Sequence, residues 1–171
     1  MRPIEGGRAH HDRSDRIGVR LRRGAMCLLA AVVVVALTNT VGQRAGTAHA
    51  VAAQAQLDVR APTAVRPGLL FQAKITVTAH ASLPKTQLVL SSGWADGLTL
   101  NTAEPSPSTQ QSGPQGSLVF NLGTLQPGQA WVEYLEYQVN PTSISRRTQV
   151  VTVLSNAVPV VTVRRTMTIV P

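Results

Sequence analysis

The chain changes character at Ala50, and that seam constrains its fold more than any other feature. Before it stand an Arg-rich head, residues 1–24, and an unbroken apolar run, residues 25–37. After it, apolar and polar residues alternate between Gly- and Pro-containing turns. Alternation with a period of two is the pattern of a strand with one buried face. The two parts therefore obey different rules, one topogenic and one all-β.

Arg2, Arg8, Arg13, Arg16, Arg20, Arg22 and Arg23 precede the apolar run. Basic residues on one flank of an apolar helix stay on the cytoplasmic side, so the remainder is expected outside it. The run has 13 residues. At about 1.5 Å each it reaches roughly 20 Å, short of a bilayer core of about 30 Å. That length suits the apolar region of a signal peptide. Ala48-His49-Ala50 supplies the small-x-small pattern of a cleavage site, with the cut before Val51. A second outcome is open. No charge falls between Arg23 and Arg44, so residues 24–43 are just long enough to stay as a single-pass anchor. In either case residues 51–171 are expected to be extracytoplasmic, secreted or tethered to the cytoplasmic membrane.

The formal net charge of +8 resembles a nucleic-acid signal, but its distribution argues against one. The head carries +4 and Arg44 adds one, which leaves +3 over residues 51–171. A nucleic-acid binder concentrates its basic residues on the folded domain. The pairs Arg146-Arg147 and Arg164-Arg165 are the only basic clusters there, placed to form a rim on adjacent strands. The sole cysteine, Cys27, lies inside the apolar run, so the exported part has no disulfide and its core must supply the stability. About 120 residues suffice for one such core.

Three domains of sequence follow: residues 1–50 as head and signal or anchor, 51–56 as an Ala/Gln-rich connector, and 57–171 as the β domain. Residues 69–81 form the clearest strand, with Phe71, Ala73, Ile75, Val77 and Ala79 on one face. Further strands are expected at 87–91, 97–100, 117–122, 130–140, 149–154 and 158–170. Residues 102–116, dense in Ser, Pro, Gln and Gly, read as a loop. In the long strand, Glu133 shares a face with Trp131, Leu135, Tyr137 and Val139, which argues for an edge or a partly exposed section. About seven strands at turn spacings near ten residues predict an Ig-like antiparallel β-sandwich.

The turns carry a family resemblance. Val65-Arg66-Pro67-Gly68 leads into a strand, Asp96-Gly97-Leu98 follows, and Leu122-Gly123-Thr124-Leu125-Gln126-Pro127-Gly128 precedes a long strand. This order over residues 57–170 resembles the conserved-repeat Ig-like domains of bacterial cell-surface proteins. The resemblance implies a surface or secreted module used as spacer, stalk or adhesion element.

No residue set reaches a catalytic signature. Nucleophilic catalysis needs a nucleophile, a base and an orienter within hydrogen-bond reach. The exported part has one histidine, His80, at a strand end, and no Gly-x-Ser-x-Gly elbow. Its five acids are scattered, and Glu133 and Glu136 fall on opposite faces of one strand. The expectation is a non-enzyme with no cofactor and no metal. Its partner would be a protein or envelope component, with the membrane engaged through the N-terminal segment if that is uncleaved. Trp94 and Asp96 in one loop, with Arg164 and Arg165, are the candidate partner contacts, although packing over the end of the sandwich is the favoured reading of Trp94 and solvated strand ends that of the arginine pair. The loops 91–97 and 102–116 are the candidate binding surface. An alternative is an accessory subunit of an envelope enzyme or transporter, recruiting its complex by strand pairing at the edge of residues 158–170.

Overall fold

The structure is a computed structural model and describes residues 8–37, 44–105 and 110–170. The chain forms two compact units, Met1–Val41 and Gly42–Pro171.

The first unit contains one helix, α1 (Arg8–Leu37). The apolar run is its C-terminal part, and Leu28, Leu29 and Val32 are all well exposed. Among the described residues no helix is long and apolar enough to cross a membrane. Residues 38–43, the end of the expected anchor, lie outside the described residues.

The second unit is built from ten strands: β1 (Arg44–Val51), β2 (Ala55–Val65), β3 (Leu70–Ala79), β4 (Leu83–Leu90), β5 (Leu98–Glu104), β6 (Gln110–Ser112), β7 (Leu118–Leu125), β8 (Ala130–Val139), β9 (Ser145–Ser155) and β10 (Val158–Ile169). Their hydrogen-bonded order is β5-β8-β3-β2-β10-β9-β4-β7-β6, with β1 added on β2. All neighbours are antiparallel except β2 and β10. The all-β expectation holds. The count of about seven strands does not, because β1, β2 and β6 fall outside the expected set.

The path is one ladder that curls until its two halves face each other, and β2 makes the bend. Its first part, from Ala55 to Arg60, pairs with β3; its end, Ala64 and Val65, pairs in parallel with β10. Pro62 stands between. Proline has no amide to give a ladder. The burial alternation slips there, so Ala61 and Pro62 are both buried. Leu57, Val59, Ile75, Val77, Leu135 and Tyr137 from one half meet Leu88, Leu90, Phe120, Val151, Val153 and Met167 from the other in a single core. Fully burying a side chain of this size contributes about 1.5–3 kcal/mol.

Both Pro-Gly turns form at the expected positions. Gly68 and Gly128 have φ of +79° and +82°. That conformation suits the third residue of a type II turn, and glycine adopts it without strain. Their amides close opposite ends of the β3–β8 ladder, Gly68 N donating to Val139 O at 2.9 Å and Gly128 N to Ala79 O at 2.7 Å.

Several expectations change. Residues 51–56, read as a connector, are the end of β1, the turn and the start of β2. The first strand of the β unit thus starts at Arg44, upstream of residue 57. The loop expected over 102–116 contains the end of β5, all of β6 and a 3-10 turn, Pro114–Gly116. β10 pairs with β9 along its length on one side, whereas β2 meets its other side only at Thr168 and Ile169, so among the described residues the expected edge persists over 158–167 and is closed at 168–169. Glu133 lies just past the end of β5, whose pairing with β8 stops at Tyr134, so β3 is its only ladder partner, through Ile75. The section is nevertheless not exposed, because the Glu133 side chain is wholly buried.

Candidate functional site

Strand alternation distributes the expected site residues between the two faces. On β10, Val161, Val163, Arg165, Met167 and Ile169 point inward, so Arg164 points out. On β9, Gln149, Val151 and Val153 point inward, and Arg146 is exposed. Each arginine pair therefore splits across its sheet, and a rim of four arginines does not form. Trp94 ends a 3-10 turn, Ser92–Trp94, and is fully buried. Asp96 and Arg164 are exposed. Of the four candidate contacts, Trp94 and Arg165 are thus core residues, not surface ones. Ala48 and Ala50, the residues of the cleavage pattern, lie half-buried in β1. His80 is exposed at the end of β3. Among the described residues no three potential metal ligands cluster.

Trp94 is drawn inward because Gly93 lets the turn touch β9. A Cβ on Gly93 would lie 2.1 Å from Thr148 O. The indole packs at 5.9 Å from the Tyr137 ring, which stacks on Phe71 at 5.5 Å. The Arg165 guanidinium lies over the indole at 5.7 Å. Its Nη1 donates to Gln149 Oε1 at 3.1 Å. Its Nη2 donates to Ala61 O at 2.8 Å and to Pro62 O. Those carbonyls belong to the bend of β2, where the ladder is interrupted. Gln149 Nε2 in turn donates to Gly93 O at 3.4 Å. Burial lowers the guanidinium to about 10, so it remains a cation at neutral pH. It serves as a clip that satisfies the backbone at the bend.

Glu133 is the other buried charge-bearing side chain of note. Its Oε2 accepts from Trp131 Nε1 at 2.9 Å, and its Oε1 has no partner among the described residues. Burial raises its pKa, and the Trp131 hydrogen bond opposes that rise.

The outer surface offers a groove of about 330 Å³. Val89, Val150 and Thr152 form its floor on β4 and β9. Ser91 and Ser92 wall one side, and Pro114, Gln115 and Ser117 the other. Ser91 Oγ accepts from Val150 N at 3.0 Å, and Ser117 Oγ donates to Pro114 O at 2.8 Å. The groove therefore lies between the two loops that the sequence marks, although Trp94 turns away from it. Its lining has hydroxyls, one amide and apolar side chains, and nothing that titrates near neutral pH. Such a lining can hold a partner by hydrogen bonds and contact.

No protein-family model matches the chain, and no curated protein matches it significantly. The likeness is to solved structures alone. CaCohA2 from Clostridium acetobutylicum is 11% identical, over 63% of this chain and 85% of that one, with a TM-score of 0.43. Spo0M, a sporulation control protein of Bacillus subtilis, is 13% identical over 69% and 50%, with a TM-score of 0.42. CaCohA2 in a CaDoc0917(R16D)–CaCohA2 complex gives 12% over 63% and 94%, with a TM-score of 0.39. Similarity at this level concerns the general β architecture and carries no argument about activity.

The inward position of Arg165 has a signal in the sequence. The residue lies in phase with Val161, Val163, Met167 and Ile169, and strand alternation alone turns it toward the core. Its partners have no such signal, because Ala61, Pro62 and Gln149 reach it only through the fold.

Proposed function

We propose that the chain is a non-catalytic, extracytoplasmic Ig-like module with a structural or binding role at the bacterial envelope. The Arg-rich head and apolar run deliver it, and the β unit works outside the cytoplasm, secreted or tethered. The turn pattern of the conserved-repeat Ig-like surface domains supports this reading. The observation that carries the binding role is the groove walled by Ser91-Ser92 and Pro114-Gln115. A photo-crosslinking side chain at exposed Gln115 tests it in the natively exported protein. The expected result is a discrete adduct from position 115 and none from exposed Tyr134, on β8. Equal labelling from both positions would remove the groove from the account. Cell fractionation with the N-terminal mass of the same sample tests the location. A full-length chain in the cytosol would overturn it.

A further inference from the structure

β2 has three strand partners, and their positions define two edges. Asp58 pairs with β1 and β3, and Ala64 with β1 and β10. A residue has one partner per edge, so β3 and β10 share one edge at opposite ends. β1 alone covers the other, from Gln56 to Ala64. β1 is closely fitted there. A Cβ on Gly46 would lie 2.4 Å from Thr63 Cγ2. Ala48 and Ala50 pack against the core, while His49 faces Asp58 and Thr47 faces Arg60.

The same segment carries Ala48-His49-Ala50, and the two small side chains of that pattern are the ones β1 turns inward. Folding and cutting therefore compete for the same residues. A cut before Val51 detaches β1 and leaves β2 without a partner along that whole edge. A bare edge is a template for another strand.

We propose that this edge, once β1 is removed, pairs antiparallel with the same edge of a second copy across a two-fold axis, with Val59 opposite Val59. The proposal rests on the export reading above for its trigger. The charges select the register. With Val59 central, Asp58 lies opposite Arg60 of the second copy, and Arg60 opposite its Asp58. Opposite charges across a ladder stabilise it, and like charges oppose it. A slip of two residues one way sets Asp58 against Asp58, and the other way Arg60 against Arg60. A slip of one residue turns the buried face outward. The pair spans Gln56 to Pro62 of both chains, and its two-fold symmetry makes it closed.

The test uses the full chain in detergent, so that the leader is common to every sample. Gly46→Val with Ala48→Pro displaces β1, by collision with Thr63 and by loss of an amide. Hydrogen exchange reports whether residues 44–51 are released, and sedimentation reports the mass. The expected result is a released β1 and a dimer. Asp58→Arg in that background should weaken the dimer about tenfold, and adding Arg60→Asp should restore it. A released β1 with a monomer at every concentration overturns the proposal. So does association indifferent to Asp58→Arg, and so does a β1 still protected in the double variant. Processing is read separately from the N-terminal mass of the exported protein. A start at Val51 supports the trigger; a start at or before Arg44 overturns it without touching the edge measurement.

Discussion

Arg165 and Glu133 are both buried, and the fold treats them in opposite ways. Arg165 reaches three oxygens from two elements and lies over an indole. Glu133 accepts from Trp131, and its second oxygen has no partner among the described residues. Burying a charge costs heavily unless every polar atom around it is answered. The arginine therefore ties the β2 bend to β9 and β10, whereas the glutamate is a local liability in β8. The difference lies in geometry: the bend of β2 brings two carbonyls to Arg165, and Glu133 is met only by the Trp131 indole.

The largest effect should come from cutting the tie. Arg165→Met leaves Ala61 O, Pro62 O and Gln149 without their donor and should cost about 4 kcal/mol in denaturant unfolding. A loss under about 1 kcal/mol would mean the arginine is a passenger. Gly93→Ala comes next. The new methyl meets Thr148 O and pushes away the turn that carries both Trp94 and the Gly93 carbonyl. Overpacking of this kind costs about 1–3 kcal/mol, and tryptophan fluorescence should shift to the red as Trp94 becomes wetter.

Glu133 should behave with the opposite sign. Its pKa is raised above 4.5 in the folded state, so the folded chain holds this proton to higher pH than the unfolded chain. Its contribution to stability therefore falls as pH rises from about 4.5 through the raised folded value. Glu133→Gln should remove that slope and add about 1 kcal/mol at neutral pH. Denaturant melts of both proteins from pH 4 to 8 decide the matter; parallel profiles would refute it. The smallest effect belongs to Trp131→Phe. The indole N–H holds the Glu133 pKa down. Losing it should raise that pKa further, seen as an upward move of the carboxyl titration by NMR.

What is legible in the sequence follows from how local each signal is. Turns with Pro67-Gly68 and Pro127-Gly128 depend on their own residues, and they fall in place. The strand β3 alternates cleanly, and its expected bounds lie within two residues of the observed ends. β2 is hidden because Pro62 breaks its alternation just where the chain bends. β1 is hidden because its small residues, Ala45, Gly46, Ala48 and Ala50, read as a peptidase site before they read as a strand. The same ambiguity gives the segment two possible fates. Packing of Trp94 over the end of the sandwich is the favoured sequence reading, and it holds; what the sequence does not show is the cause, Gly93 in contact with a strand more than fifty residues away. Of the candidate site, the two loops are legible and their convergence on a groove is not.

The parallel pairing of β2 with β10 has a mechanical consequence. β1 folds back along β2, so Arg44 and Thr168 both lie beside Ala64. A pull between the leader and the C-terminal strand would load β1 at that end and peel it from β2 one pair at a time, at low force. Once β1 is gone, the tension enters β2 at Ala55, remote from Ile169. β2 and β10 would then be drawn past each other at their two paired positions, Ala64 and Val65 against Thr168 and Ile169. The fold thus combines a weak strap that yields first with a body that is loaded in shear.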